Sequence, residues 1–169
     1  MLTLQNAALA IALLLFAWYF AGMYVNRRRA DVLIRHLREA LLTAGKNLTI
    51  RWFGRSAFQI TVGEPRSPLI GLQALCLLEP RDFALALAWS RLRGRRDQVL
   101  IGAAYVTPPT AVVSHPLSGY GIAGLTGLEV RGEAPHLQLT LQVGAGGEAA
   151  IGQAVELVRH LSAKKRALS

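Results

Sequence analysis

The chain has 169 residues, with 19 Lys and Arg against 10 Asp and Glu, for a formal net charge of +9. That length allows one ordinary domain. The apolar share of 52% excludes a disordered chain, and a single cysteine, Cys76, excludes a disulfide framework or a cysteine-based zinc site. The charge is unevenly placed, because residues 1–26 carry none and every charged side chain falls in residues 27–169.

Ala7 to Val25 form an apolar run of 19 residues, close to the roughly 20 that cross a hydrocarbon core as a helix. Trp18, Tyr19 and Tyr24 lie towards its C-terminal end, where amphipathic rings suit a lipid–water boundary. A cleaved signal peptide is the competing reading. It needs a basic stretch before the apolar run and a small-residue cleavage site after it, and neither is present. Residues 1–26 therefore read as a retained transmembrane anchor. Arg27, Arg28 and Arg29 follow it, which predicts an outside N-terminus and a cytoplasmic remainder. They also read as a topology anchor beside anionic lipid headgroups.

Residues 27–45 carry Ala30, Leu33, Ile34, Leu37, Leu41 and Ala44 at helical spacing, with Gly45 as a stop. This predicts a juxtamembrane helix continuous with the anchor, holding the domain on a stiff stalk. Within 46–169, Leu48, Ile50 and Trp52 alternate with polar residues. So do Phe58, Ile60 and Val62, and Gly54-Arg55-Ser56 between them marks a hairpin. Residues 69–78 are nearly all apolar and read as a strand covered on both faces. Residues 80–93 fit a strand or a helix with the stripe Leu85, Ala88, Trp89, Leu92; the alanines and the Pro80 opening favour helix. Residues 98–106 read as a buried strand, 107–121 as a loop, 122–131 as a weak strand, and 137–143 as the clearest strand in the chain. A glycine loop precedes a last helix with the buried stripe Ile151, Ala154, Val155, Val158 and Leu161. The expected fold is α/β of the α+β kind: one transmembrane helix, then one compact domain of mostly antiparallel sheet with packed helices.

Little in the sequence points to catalysis. Gly119, Gly121 and Gly124 spell G-x-G-x-x-G without the strand–helix context a dinucleotide needs. Gly144, Gly146 and Ala149 have that context but no acid-bearing strand after them. His36, His115, His136 and His160 are scattered and read as surface or interfacial residues. No enzymatic activity, metal or cofactor is expected. What remains is positive charge: Arg91, Arg93, Arg95 and Arg96 at the end of the predicted third helix, that over 80–93, and Lys164, Lys165 and Arg166 at the C-terminus. With Arg27, Arg28 and Arg29 these are the candidate contacts for phosphate, on lipid or on RNA.

Four stretches in collinear order carry a family resemblance. They are Asn26-Arg27-Arg28-Arg29-Ala30 with the helix containing His36-Leu37-Arg38-Glu39-Ala40-Leu41-Leu42; Glu79-Pro80-Arg81-Asp82-Phe83 and the helix after it; Arg96-Asp97-Gln98-Val99-Leu100-Ile101; and the strand Leu137 to Val143, its glycine loop and the helix into Ala163-Lys164-Lys165-Arg166. In these the chain resembles the calumin family, single-span subunits of the PAT complex, an intramembrane chaperone associated with the translocon. The resemblance implies an accessory factor at the ribosome–Sec translocon that assists insertion and folding of multi-span membrane proteins. Its partners would be the translocon, ribosomal RNA phosphate and a small membrane protein against the span, besides anionic lipid. The acidic segment before the span and the long charged tail of the eukaryotic members have no counterpart here, so calcium binding is not implied, and a short archaeal-type relative is expected. The alternative is a structural single-span subunit of another membrane complex, such as a respiratory one.

Overall fold

The computed structural model describes residues 4–107, 120–144 and 147–163. Helix α1 (Leu4–Ala44) is a single run of 41 residues, so the anchor and juxtamembrane segments are one element. Six strands follow, β1 (Gly45–Phe53), β2 (Ala57–Pro65), β3 (Leu69–Leu77), β4 (Gln98–Tyr105), β5 (Leu125–Val130) and β6 (Leu137–Gln142). Helix α2 (Ala84–Leu92) lies between β3 and β4, and α3 (Ala149–Ala163) closes the described chain. The strands form one antiparallel sheet in the order β1-β2-β3-β4-β6-β5. This is the expected α+β architecture, with an N-terminal helix long and apolar enough to span a membrane.

The second half of α1 is not a stalk. Ala30, Leu33, Leu37, Leu41 and Ala44 are fully or almost fully buried, packed with α3 over one face of the sheet. Their partners include Phe58 and Ile60 on β2, Ala74 and Cys76 on β3, Ile101 on β4, and Ile151, Ala154 and Val158 on α3. The i, i+3, i+4 spacing puts a continuous apolar stripe on the sheet, so α1 is anchor and core element at once. The helix turns into β1 without a loop. A Cβ at Gly45 would overlap Val62, so only glycine lets the chain reverse there. Two carbonyls of the last helical turn accept from Arg66, Ala44 from its backbone N–H at 2.8 Å and Thr43 from Nη1 at 3.2 Å, which satisfies part of the helix end.

The other sheet face differs from expectation. Residues 69–77 alternate, with Leu69, Leu72, Ala74 and Cys76 buried while Ile70, Gln73 and Leu77 are exposed. Both helices pack on the same side, so β3 is covered on one face. The opposite face is a shallow groove lined by Gln59, Gln73, Gln138, Leu75 and Leu100, where the Gln59 amide donates to Gln73 at 2.7 Å. His136 also differs from expectation. It is buried, and its Nδ1 accepts the Tyr105 backbone N–H at 2.9 Å, while the Tyr105 hydroxyl donates to the Val158 carbonyl at 2.9 Å. This histidine closes the end of a strand. The other described histidines are exposed: His36 bonds the Val32 carbonyl and His160 faces Glu156. His115, Gly119, Gly146 and the basic trio Lys164, Lys165 and Arg166 lie outside the described residues.

Strand direction sorts the connections into two ends. β1 runs back from Ala44 along α1, and its nine residues cover about 30 Å, as much as some 20 residues of helix. The β1–β2 turn therefore lies beside the apolar part of α1, and the Arg55 guanidinium stacks 5.6 Å from the Tyr19 ring. The register places the β3–β4 connection with α2, and the β6–α3 connection, at this same span-proximal end. Core membership of α1 predicts that Leu37→Ala lowers stability by about 2–5 kcal/mol. Leu42→Ala, 44% exposed on the same helix, should stay within about 0.5 kcal/mol. Urea unfolding of the full chain in mild detergent checks this; a stalk would leave both variants unchanged.

Candidate functional site: an arginine–carboxylate junction

Of the polar residues buried among those described, Asn26, Glu79, Ser90 and Asp97 gather at the span-proximal end, and His136 lies at the other end. Asp97 stands just before β4 and is 2% exposed. Its carboxylate accepts four hydrogen bonds. Oδ1 takes the Glu79 backbone N–H at 2.9 Å and Arg81 Nη1 at 3.1 Å, and Oδ2 takes Arg81 Nη2 at 3.0 Å and Arg29 Nε at 3.1 Å. The Arg81 fork is thus bidentate, the geometry that pairs guanidinium and carboxylate best. The Asp97 carbonyl also accepts the Val143 N–H at 2.8 Å, tying the start of β4 to the end of β6.

Helix α1 contributes two side chains. The Asn26 amide donates to the Glu79 carbonyl at 3.1 Å, and its oxygen accepts Arg81 Nη1 at 2.9 Å. Arg29 reaches Asp97, the Glu148 carboxylate, and the carbonyls of Val143 at 3.2 Å and Gly144 at 2.7 Å. Glu79, also almost fully buried, faces Arg81 at 3.2 Å, Arg91 at 3.8 Å and Arg96 at 4.0 Å. Four guanidinia and two carboxylates, Glu79 and Asp97, thus line a cleft of about 260 Å³ beside Val25. Such charges are costly to bury unless paired, and no buried side-chain nitrogen or oxygen among the described residues lacks a partner. One turn earlier on α1, Gly22 packs against the backbone of Arg81 and Asp82, where a Cβ would overlap the Arg81 carbonyl.

Burial works to raise the Glu148 carboxyl, but its own backbone N–H and the Arg29 guanidinium together hold it below its ordinary value of 4.5. It stands just before α3, where Asp or Glu suits the positive helix end. In that position it fills the helix mouth that a phosphate would need. Burial pushes the Cys76 thiol well up, with the Asp97 charge adding to the effect, so Cys76 behaves as a core residue.

The ten basic candidates divide accordingly. Arg29 leaves the set of phosphate contacts, because its side chain is 17% exposed and occupied by Asp97, Glu148 and two carbonyls. Arg91 and Arg96 are about half exposed and lean on Glu79. Arg93 stacks 4.4 Å over the Trp89 ring. Arg27, Arg28 and Arg95 are exposed. Sequence reasoning assigned no role to Asn26, Glu79, Arg81, Asp97 or Glu148. A signal was available, since a lone acid between a basic run and an apolar strand, as in Arg95-Arg96-Asp97-Gln98-Val99, must be paired if the strand is buried.

No family model matches the sequence, and no curated protein matches it significantly. The junction is therefore read from its own geometry. It fastens α1 to three connections at once, the one after β3, the one before β4 and the one between β6 and α3.

Asp97→Asn leaves Arg29 and Arg81 without their shared anion and should cost about 3–5 kcal/mol, measured by denaturant unfolding. The acid dependence has a definite sign. A carboxyl whose folded value is depressed adds stability above its ordinary value and loses it as pH falls through the folded value. Stability should thus decline as pH drops below 4.5, and Glu148→Gln should show a shallower decline in urea titrations over that range.

Proposed function

We propose that this chain is a single-pass membrane-anchored accessory factor of membrane-protein biogenesis. It would act at the ribosome–Sec translocon in the manner its resemblance to the calumin family implies. One observation carries the reading. The four stretches that bear the resemblance are distant in sequence, yet all contribute to the junction: Asn26 and Arg29 from the first, Glu79 and Arg81 from the second, Asp97 from the third, Val143 and Gly144 from the fourth. A resemblance spread over weak motifs gains weight when those motifs form one structural unit.

The orientation in this reading has the N-terminus outside and the domain in the cytoplasm. Arg27 and Arg28, exposed beyond the apolar run, supply the positive side, and losing Arg29 to the junction does not alter that sign. The role is non-enzymatic, because the charged groups that converge are engaged with one another. The span would rest against a small membrane partner or a client helix. The basic C-terminal residues Lys164, Lys165 and Arg166 would meet ribosomal RNA phosphate through charge, without base readout.

Affinity purification of the full chain from gently solubilised native membranes tests the proposal. Sec subunits and ribosomes should co-purify at low salt and be lost as salt rises. Recovery of neither at low salt would sink it, and stoichiometric co-migration with a different membrane complex on a native gel would replace it with a structural-subunit role. Lys164→Gln with Lys165→Gln should weaken co-sedimentation with ribosomes and flatten its salt dependence. Unchanged co-sedimentation would remove both from the contact surface.

A further inference from the structure

Helix α2 is turned inside out. Of its nine residues only Ser90 is buried, while Leu85, Trp89 and Leu92, one stripe at i, i+4 and i+7, are 75%, 58% and 82% exposed, and Phe83 at the N-cap is 60% exposed. A helix whose apolar stripe faces away from the core needs something else to cover it. The same end of the domain exposes Trp52 and Phe53 at the tip of β1. Among the described residues after 44, the exposed large apolar side chains lie in these segments, in Ile50 on the same strand and in Leu77 at the end of β3. Ile70 and Val106, at the far end, are the exceptions.

The occupant follows from position. Gly22, within the apolar run of α1, touches the backbone of Arg81 and Asp82, two residues before α2 begins. Tyr19, a turn earlier, carries Arg55 from the β1–β2 turn on its ring. Both elements are thus docked on α1 at the level of its aromatic residues, beside side chains such as Phe16, Phe20 and Tyr24 that are themselves exposed. Three guanidinium–ring stacks also lie at this end: Arg51 on Phe53, Arg55 on Tyr19 and Arg93 on Trp89. Apolar rings backed by arginines are what the boundary between acyl chains and anionic headgroups accommodates.

We propose that α2 and the β1–β2 hairpin tip are a second membrane-binding surface, inserted into the headgroup–acyl boundary beside the span. The domain then sits flush on the bilayer, with Phe83, Leu85, Trp89 and Leu92 in lipid and Arg91, Arg93 and Arg95 among phosphates. The occupant is lipid, because the surface continues the exposed apolar surface of α1. The proposal rests on α1 spanning a bilayer and does not depend on any translocon partner.

The test uses the full chain in vesicles of phosphatidylcholine and phosphatidylglycerol, in a Cys76→Ala background, with single NBD-labelled cysteines at Leu85→Cys, Leu92→Cys and, as the far-end control, Ile70→Cys. Labels at 85 and 92 should emit to the blue of the label at 70 and lose most of their emission to nitroxide-bearing lipids, with the label at 70 spared. Labels at 85 and 92 that match the control overturn the proposal. Blue-shifted labels that lipid nitroxides do not quench also overturn it, and assign the stripe to a protein surface instead. Alkaline carbonate extraction separates the premises. Protein that stays in the membrane with water-exposed labels defeats only the second surface. Protein released into the supernatant defeats the span and this proposal together.

Discussion

Asp97 is the group on which the span-proximal half of the molecule depends. One buried carboxylate accepts two guanidinium contacts from Arg81, one from Arg29 and a backbone N–H from Glu79, and its own carbonyl holds Val143. An isolated carboxylate in such a place would be strongly unfavourable. The surrounding chain is therefore constrained to bring its donors, and those donors come from α1 and from the segment after β3. The consequence is geometric: the anchor helix cannot rotate or slide relative to the sheet without breaking paired charges.

That constraint works with the apolar stripe of α1. From Ala30 to Ala44 the helix is held by burial, which is strong but tolerant of small slips. From Gly22 to Arg29 it is held by close backbone approach and directional hydrogen bonds, which are specific in register. The position of the apolar half of α1 is thereby transferred to the domain, and α2 and the hairpin tip are held at a fixed level along that helix.

How much of this was legible can be judged element by element. The alternation from Leu137 to Val143 identified β6 because one face is buried and the other is not. The run at 69–78 misled because apolar residues on both faces suit a doubly covered strand equally well, and only the placement of α1 and α3 on one side leaves Ile70 and Leu77 outside. Helix was the better reading for 82–92, since alanines favour it. The direction of its stripe was not legible, since periodicity identifies a stripe without saying what covers it. His136 looked like a surface residue because nothing nearby in sequence reveals the Tyr105 N–H that it accepts.

By itself the sequence determined the apolar span, the segregation of charge to residues 27–169, the α+β class and most of the core positions, because these follow from local periodicity and composition. Only the tertiary structure decided that the juxtamembrane helix is core rather than stalk, that Arg29 belongs to Asp97 and Glu148 rather than to lipid phosphate, and that the stripe of α2 faces outward. The physical reason is the same in each case. Whether a charge is paired or free, and whether a stripe is covered or open, depends on groups brought together by strand order across 68 residues or more for Arg29, and no local pattern encodes that distance.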